Sequence, residues 1–216
     1  AENIQRLGET ASSDDTNATT HRQPEIATPD QPVEGDASVS ALEEGDGTEI
    51  ELALSDDYIQ GRYFTGGGLF GLQQTDGHIG LYFNDDRDLI GTLGLMTTPT
   101  SLFIDRLSLS VGGRGYLALL AAPNNDDVFG VAPGVEARYA LPIPYPVTAV
   151  GSFFYAPDVL TLGDAENIVD LDARGEAQIT SGLIGFIGYR VFRFDSDEGD
   201  AERAANEIQI GARFAF

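Results

Sequence analysis

The sequence predicts an all-β protein, an antiparallel transmembrane β-barrel of about ten strands behind a disordered acidic N-terminal tail. Three observations predict it. The residues Asn206 to Phe216 alternate without a slip: Ile208, Ile210, Ala212, Phe214 and Phe216 share one face of an extended strand, and Glu207, Gln209, Gly211, Arg213 and Ala215 share the other. A strand of that length, apolar on one face, polar on the other and ended by an aromatic, has the form of a closing strand of an outer-membrane barrel. From Thr48 onward the rest of the chain has the same texture, short alternating runs broken by Gly, Asp, Asn and Pro clusters. Finally, no apolar run approaches the 18 or so residues of a membrane-spanning helix, so a crossing has to be made by strands.

Residues 1–47 read as a disordered tail. Eleven acids (Glu2, Glu9, Asp14, Asp15, Glu25, Asp30, Glu34, Asp36, Glu43, Glu44 and Asp46) stand against Arg6 and Arg22, a balance of −9. Such a segment buries too little apolar surface to offset its ordering entropy. It opens on a polar sequence with no basic, apolar leader, so a secreted chain is expected to have lost its signal peptide already. Residues 48–216 form the barrel, with strands expected at 48–54, 58–65, 77–84, 89–97, 102–112, 128–140, 147–156, 169–180, 183–194 and 206–216; Gly115 to Leu120 extends the fifth strand or stands alone, and eight strands is the nearest competing count. Thr180-Ser-Gly182 is a tight turn and Leu141 to Pro146 a stiff one, whereas Ala121–Asp127, Pro157–Ile168 and Asp195–Ala205 are long and polar. This alternation fits short periplasmic turns, long outer loops and both chain ends on the periplasmic side. The long connection from Gly66 to Asp76 runs against it.

Each strand has a charged and an apolar face. In the eighth, Asp170, Asp172, Arg174, Glu176 and Gln178 alternate with Leu171, Ala173, Gly175, Ala177 and Ile179. Alternation alone does not say which face points inward. The apolar faces hold many small residues, Ala137, Ala173, Gly175, Ala177 and Ala212 among them, too little volume to fill a barrel core at the density of protein interiors. Lipid makes no such demand, so the charged face is assigned to the lumen: Glu49, Glu51, Arg62, Arg106, Glu136, Arg138, Asp170, Asp172, Arg174, Glu176, Arg190, Glu207 and Arg213. Six Arg among seven acids form an expected charge network in which planar guanidinium forks tie strands together. A narrow barrel filled this way is plugged rather than open. Phe214 and Phe216 are the expected assembly signal, read by the barrel-assembly machinery.

Composition narrows the function classes. There is no Cys, Trp or Lys, and all twelve basic residues are Arg. The absence of Cys removes disulfides and thiolate metal sites. A net charge of −23 without a basic patch argues against nucleic acid as a partner. Histidine is limited to His21 and His78, leaving no evident base for a Ser-His-Asp arrangement; His78 shares a face with Tyr82 and Asn84. Gly66-Gly-Gly68 and Gly112-Gly113 lack the strand-turn-helix setting of a phosphate cradle and read as bends and bulges. No catalytic residue, cofactor or metal ligand is assigned. The acid-rich loops Asn84–Asp88, Asn124–Asp127 and Asp195–Asp200 offer hard oxygens suited to divalent cations, though none has the full calcium-loop spacing.

From Phe154 onward the chain resembles the YfaZ family of outer-membrane proteins, through Phe154-Tyr-Ala-Pro-Asp-Val-Leu160, Gly163-Asp-Ala-Glu166, Gly188-Tyr-Arg190 and the Phe-terminated last strand. Weaker similarity reaches back through Glu136-Ala-Arg-Tyr139 to Ser108–Gly113. The resemblance covers about two thirds of the chain and implies a Gram-negative outer-membrane barrel; it carries no activity onto residues here, and the acidic tail falls outside it. The expected function is that of a small non-enzymatic, porin-like protein of the cell outer membrane, structural or a very narrow pore, in contact with outer-membrane lipid and lipopolysaccharide. Two other classes stay open, a barrel enzyme acting on lipid or peptide and a soluble lipocalin-like binder.

Overall fold

A computed structural model describes residues 47–66, 75–85, 87–99, 105–119, 127–163, 165–196 and 201–216, without the side chains of residues 165, 195, 196 and 201–205. The expected tail, 1–47, lies almost wholly outside the described residues, as do most of the acid-rich loops Asn124–Asp127 and Asp195–Asp200.

Strict period-2 burial generates the strands. In β1 (Thr48–Leu54) Glu51 and Ala53 are buried while Ile50, Leu52 and Leu54 are exposed. The same alternation, with the exposed face apolar, runs through β2 (Tyr58–Thr65), β3 (Thr75–Asn84), β4 (Leu89–Thr97), β5 (Leu107–Leu119), β6 (Val128–Ala140), β7 (Val147–Ala156), β9 (Ala165–Thr180), β10 (Leu183–Ser196) and the described side chains of β11 (Ala201–Ala215), while the buried face is polar in part and apolar in part. β8 is a two-residue strand, Thr161–Leu162, after a 3₁₀ turn at Asp158–Leu160. Every pairing is antiparallel. The order β5-β4-β3-β2-β1-β11-β10-β9-β7-β6 closes on itself through β5 against β6, giving a ten-stranded barrel with β8 as a patch on β6. Closure removes both sheet edges, the condition for placing strands in lipid.

Five expected strands, 48–54, 58–65, 89–97, 128–140 and 147–156, coincide with observed ones. The fifth differs: β5 begins at Leu107 and runs without a break through Gly112-Gly113 to Leu119, because both neighbours hold it in register across the glycines. β10 and β11 also pair beyond the expected ends, past a register shift at Phe192/Arg193, so the connection expected at Asp195–Ala205 shrinks to 197–200. Connection lengths therefore do not separate the two rims. Where β1 starts and β11 finishes, at what is called here the C-terminal rim, the connections are 66–74, 98–106, 141–146 and 181–182; at the far rim they are 55–57, 85–88, 120–127, 157–164 and 197–200.

The far rim holds the family-like segment. Pro157 ends β7, the chain turns, and Thr161 and Leu162 pair with Gly130 and Phe129 where β6 has outrun β7. Gly163 then turns into β9 with φ +89°, and a Cβ there would overlap the Asp127 carbonyl, so the position requires glycine.

The outer surface carries an apolar band edged by aromatics. Tyr63, Tyr139, Tyr145, Phe214 and Phe216 are exposed toward the C-terminal rim, and Phe83, Phe129, Tyr155 and Tyr189 toward the far rim. On β6 the two girdles are marked by Tyr139 and Phe129, ten residues apart. Ten steps of about 3.3 Å, tilted by about 40°, span about 25 Å of membrane normal, the height of the apolar band of outer-membrane barrels.

Candidate functional site

The lumen is the only place where this fold gathers charged side chains in quantity among the described residues, and they fill it in layers. Cross-strand register builds the layer nearest the C-terminal rim. Glu51 on β1 stands directly opposite Arg62 on β2 and Arg213 on β11, so one carboxylate is flanked by a guanidinium on either side. Arg62 Nε donates to Glu51 Oε1 at 2.8 Å, and Arg213 Nη2 to Glu51 Oε2 at 3.0 Å. Arg174 Nη1 reaches Glu51 Oε2 from across the barrel at 3.3 Å. It has room because the residue beside it on β10 is Gly188, where a Cβ would overlap the Arg174 side chain. Glu176 also holds three guanidiniums: Arg174 at 2.8 Å, Arg213 at 3.1 Å and Arg138 at 2.6 Å. Glu49 and Glu136 complete the layer at its more open side, Glu49 3.5 Å from Arg213 and Glu136 3.3 Å from Arg138.

A second layer centres on Asp170. Arg114 Nη1 donates to its Oδ2 at 2.7 Å, the Tyr116 hydroxyl donates to the same oxygen at 2.8 Å, and Arg190 clasps both oxygens at 3.1 Å. Arg190 also donates to Gln60 Oε1 at 2.9 Å. Beside this hub the Gln209 amide donates to Asp172 and accepts from the Tyr58 hydroxyl at 3.0 Å. Aromatic faces support the cations: Arg114 lies 4.0 Å from the Phe154 ring centroid, Arg174 4.9 Å from Phe186 and Arg213 5.0 Å from Phe64.

Toward the far rim the lumen turns apolar. Tyr58, Tyr82, Ile90, Ala118, Val128, Ile168, Phe192 and Phe194 are all at most 3% exposed and pack as one cluster, with Tyr58 against Tyr82 at 4.7 Å and Tyr116 stacked on Phe192 at 5.3 Å. Between the cluster and the C-terminal rim lies a cavity of about 30 Å³, bordered by Arg62, His78, Arg114, Arg174 and Arg213. It has room for about two water molecules.

Eleven of the thirteen residues assigned to the lumen network from the sequence thus meet in these two layers. Arg106 does not, because β5 starts one residue later; it sits half-buried in the turn behind Asp105, whose φ is +49°, with no ion pair to another described residue. Glu207 lies at the far rim, where it accepts from the Ser55 hydroxyl and from the Asp57 N–H at 3.3 Å. The Asp57 carboxyl, fully exposed in the β1–β2 turn, is pushed up to about 6 by its hydrogen bond to Glu207 and by the negative charge of Glu207, Asp85 and Asp56. Arg114 was absent from the sequence assignment, although it continues the inward face of Ser108 and Ser110. His78, Tyr82 and Asn84 are all buried on the inner face, and His78 Nε2 makes no hydrogen bond among the described residues. In the acid-rich loop Asn84–Asp88, the Asn84 amide closes the turn by accepting from the Asp88 N–H at 2.8 Å and donating to the Asp88 carboxylate at 3.0 Å. Among the described residues no group of three or more His, Asp or Glu is placed to hold a metal ion.

Phe214 points outward from β11, level with Ile50 and Leu183, and the exposed Phe216 follows the strand, its N–H donating to the Thr48 carbonyl at 3.0 Å.

Comparison with known proteins gives the following. A solved outer membrane channel, DcaP of Acinetobacter baumannii, is similar at 9% identity with a TM-score of 0.40 over 81% of this chain and 60% of the channel. A bacterial polysaccharide outer membrane secretin is similar at 13% identity with a TM-score of 0.46 over 81% of this chain and 67% of the secretin. The chain thus spans about 60% of the channel's length. No curated protein matches. The family described as YfaZ precursor matches residues 47–216, all of the barrel. A closed ten-stranded barrel with an apolar band outside and a charged lumen, matched to this family over its whole length, is a transmembrane barrel of the cell envelope, and the chain belongs to the YfaZ family.

Proposed function

We propose that this protein is a small, non-enzymatic barrel of the cell outer membrane whose lumen is a structural plug rather than a pore. The observation that carries this reading is the lumen itself. Six Arg (62, 114, 138, 174, 190, 213) interlock with Glu49, Glu51, Glu136, Asp170, Asp172 and Glu176, and a buried aromatic and aliphatic cluster covers them toward the far rim. The charges nearly balance, with Asp76 at the cavity as a further acid, and each of the six buried guanidiniums is held by at least one carboxylate of the wall. Conduction needs sites that an ion both enters and leaves, and here those positions are occupied by side chains.

The far rim is the one we assign to the cell exterior, and the C-terminal rim to the periplasm. β5, β6, β9, β10 and β11 have 13 to 16 residues, more than the 9–11 or so that a tilted strand needs to cross, and the excess of β9, β10 and β11 stands beyond the β1–β2 turn at the far rim. The outward apolar band then meets phospholipid on the periplasmic side and lipopolysaccharide on the other. Phe214 and Phe216 are the surface offered to the barrel-assembly machinery.

Liposome swelling tests the plug. Vesicles carrying the folded protein in a gradient of a small sugar or amino acid should swell no faster than protein-free vesicles, whereas solute-size-dependent swelling would support the very narrow pore. Release of fatty acid or peptide from offered lipid or peptide substrates by purified folded protein would overturn the non-enzymatic part.

A further inference from the structure

The outer wall is not uniformly covered. Most outward positions within the apolar band carry large side chains, but on β4 and β5 Gly91, Gly113 and Gly115 fall in that band. Their neighbours in register stand tall around them. The pairing row Tyr63, Ile79, Leu93, Gly115, Val131 crosses five strands, with Leu95 beside Gly113 in the row below and Leu117 beside Gly91 in the row above. The result is an apolar groove of about 820 Å³ in the wall of β2 to β6, floored by glycine backbone and flanked by exposed Ile79, Leu93, Leu95, Leu117 and Phe129.

We infer that this groove is a specific binding site for one acyl chain of a phospholipid. Its depth lies between the aromatic girdles, where only hydrocarbon is available, and an unfilled groove there would forfeit dispersion contacts along its whole lining. Its volume is that of a small-molecule site, whereas a stable protein partner needs a far larger surface, about 800 Å² from each side. The ends differ in chemistry. On β2 the groove finishes at Tyr63 and Thr65, whose hydroxyls lie by the C-terminal rim at headgroup level, while at the far rim it is closed by Phe129 and Val131. A chain therefore lies with its ester and headgroup at the C-terminal rim, the periplasmic leaflet in the orientation proposed above, and its methyl end under Phe129. This selects a phospholipid over lipopolysaccharide. The inference rests on the barrel spanning a bilayer.

The glycines allow a clean test. A Cβ on Gly91 would meet the Leu117 carbonyl at 3.8 Å, on Gly113 the Ala132 carbonyl at 3.6 Å and on Gly115 the Leu93 carbonyl at 3.6 Å, all ordinary contacts, so larger residues fill the groove without disturbing the wall. Gly175, outward on β9 with nothing within 4 Å of its Cβ, is the control outside the groove. The full chain, folded in vesicles of phosphatidylethanolamine with added lipopolysaccharide, is extracted into mild detergent and weighed by native mass spectrometry. Wild type and Gly175→Leu should retain one phospholipid, and Gly113→Leu/Gly115→Leu should lose it by at least tenfold while keeping the heat-modifiable band of a folded barrel. If the double variant does not fold, Gly91→Leu alone should show the loss. Equal retention in the filled and control variants, retention of lipopolysaccharide alone, or no lipid on the folded wild type would overturn the site. Failure of the wild type to insert at all would instead strike the barrel reading.

Discussion

Replacing Asp170 by Ala should destabilise the barrel more than any single arginine change in the layer below it. Asp170 is 1% exposed and is the shared acceptor of Arg114, Arg190 and Tyr116. Its loss leaves Arg114 without its one carboxylate among the described residues and Arg190 with the neutral Gln60 as its remaining hydrogen-bond acceptor there, Asp172 acting on it only through space. Removing one partner of a buried ion pair costs about 3–5 kcal/mol, because the charge left behind stays desolvated. Arg174→Ala is the comparison. Glu51 would keep Arg62 and Arg213, and Glu176 would keep Arg138 and Arg213, so the loss is partial and the expected cost falls to about 1–3 kcal/mol. Both variants would be followed by urea-induced unfolding and refolding in lipid vesicles, read by the gel shift of the folded barrel. Replacing Asp170, Arg114 and Arg190 together by Leu, Met and Met should recover most of the loss, because an apolar trio strands no charge. An Asp170→Ala cost below about 1 kcal/mol, or below that of Arg174→Ala, would refute the hub assignment.

Other outcomes follow from the same geometry. Ala173 points outward in mid-strand, so Ala173→Arg should cost about 2–4 kcal/mol in vesicles, and a neutral effect would contradict the lipid-facing assignment. With Asp57 raised to about 6 from its ordinary 3.8 and its partner Glu207 lowered from 4.5, the folded pair holds more protons than the unfolded one between about 4.5 and about 6. Stability should therefore fall as pH rises from about 4.5 to about 6 and then level off as far as this pair is concerned, and Asp57→Asn should flatten the profile; thermal unfolding in detergent across that window checks the sign. Deleting Phe216 or replacing it by Asp should lower the amount of folded barrel in outer-membrane fractions, and unchanged assembly would dismiss the terminal aromatic as a signal.

Strand positions were legible wherever one face met lipid and the other the lumen, since a slip of one residue would put Glu51 or Asp172 into hydrocarbon. They were least legible where that contrast fades. At Val191-Phe-Arg-Phe194 both faces carry apolar side chains, and the lumen-facing Phe192 and Phe194 look no different from lipid-facing ones. The apolar layer over the charge network was invisible for this reason. Arg114 was missed because Gly112-Gly113 reads as the end of a strand, whereas the inward sequence Ser108, Ser110, Arg114, Tyr116 passes through it. Charged faces could be assigned to the lumen, but not their pairing. Arg114 and Asp170 sit on β5 and β9, which are not neighbours in the sheet, and meet only across the closed barrel.

The plugged lumen is tested most directly by single-channel recording in a planar bilayer. Folded wild-type protein, with insertion confirmed by protease protection in the same membranes, should give no stepwise current at either polarity, and the same silence should persist in Arg174→Ala although that variant unfolds earlier. Discrete conductance steps in the wild type, altered in size or ion selectivity by Arg174→Ala, would contradict the plug and make the charge layers the lining of a pore.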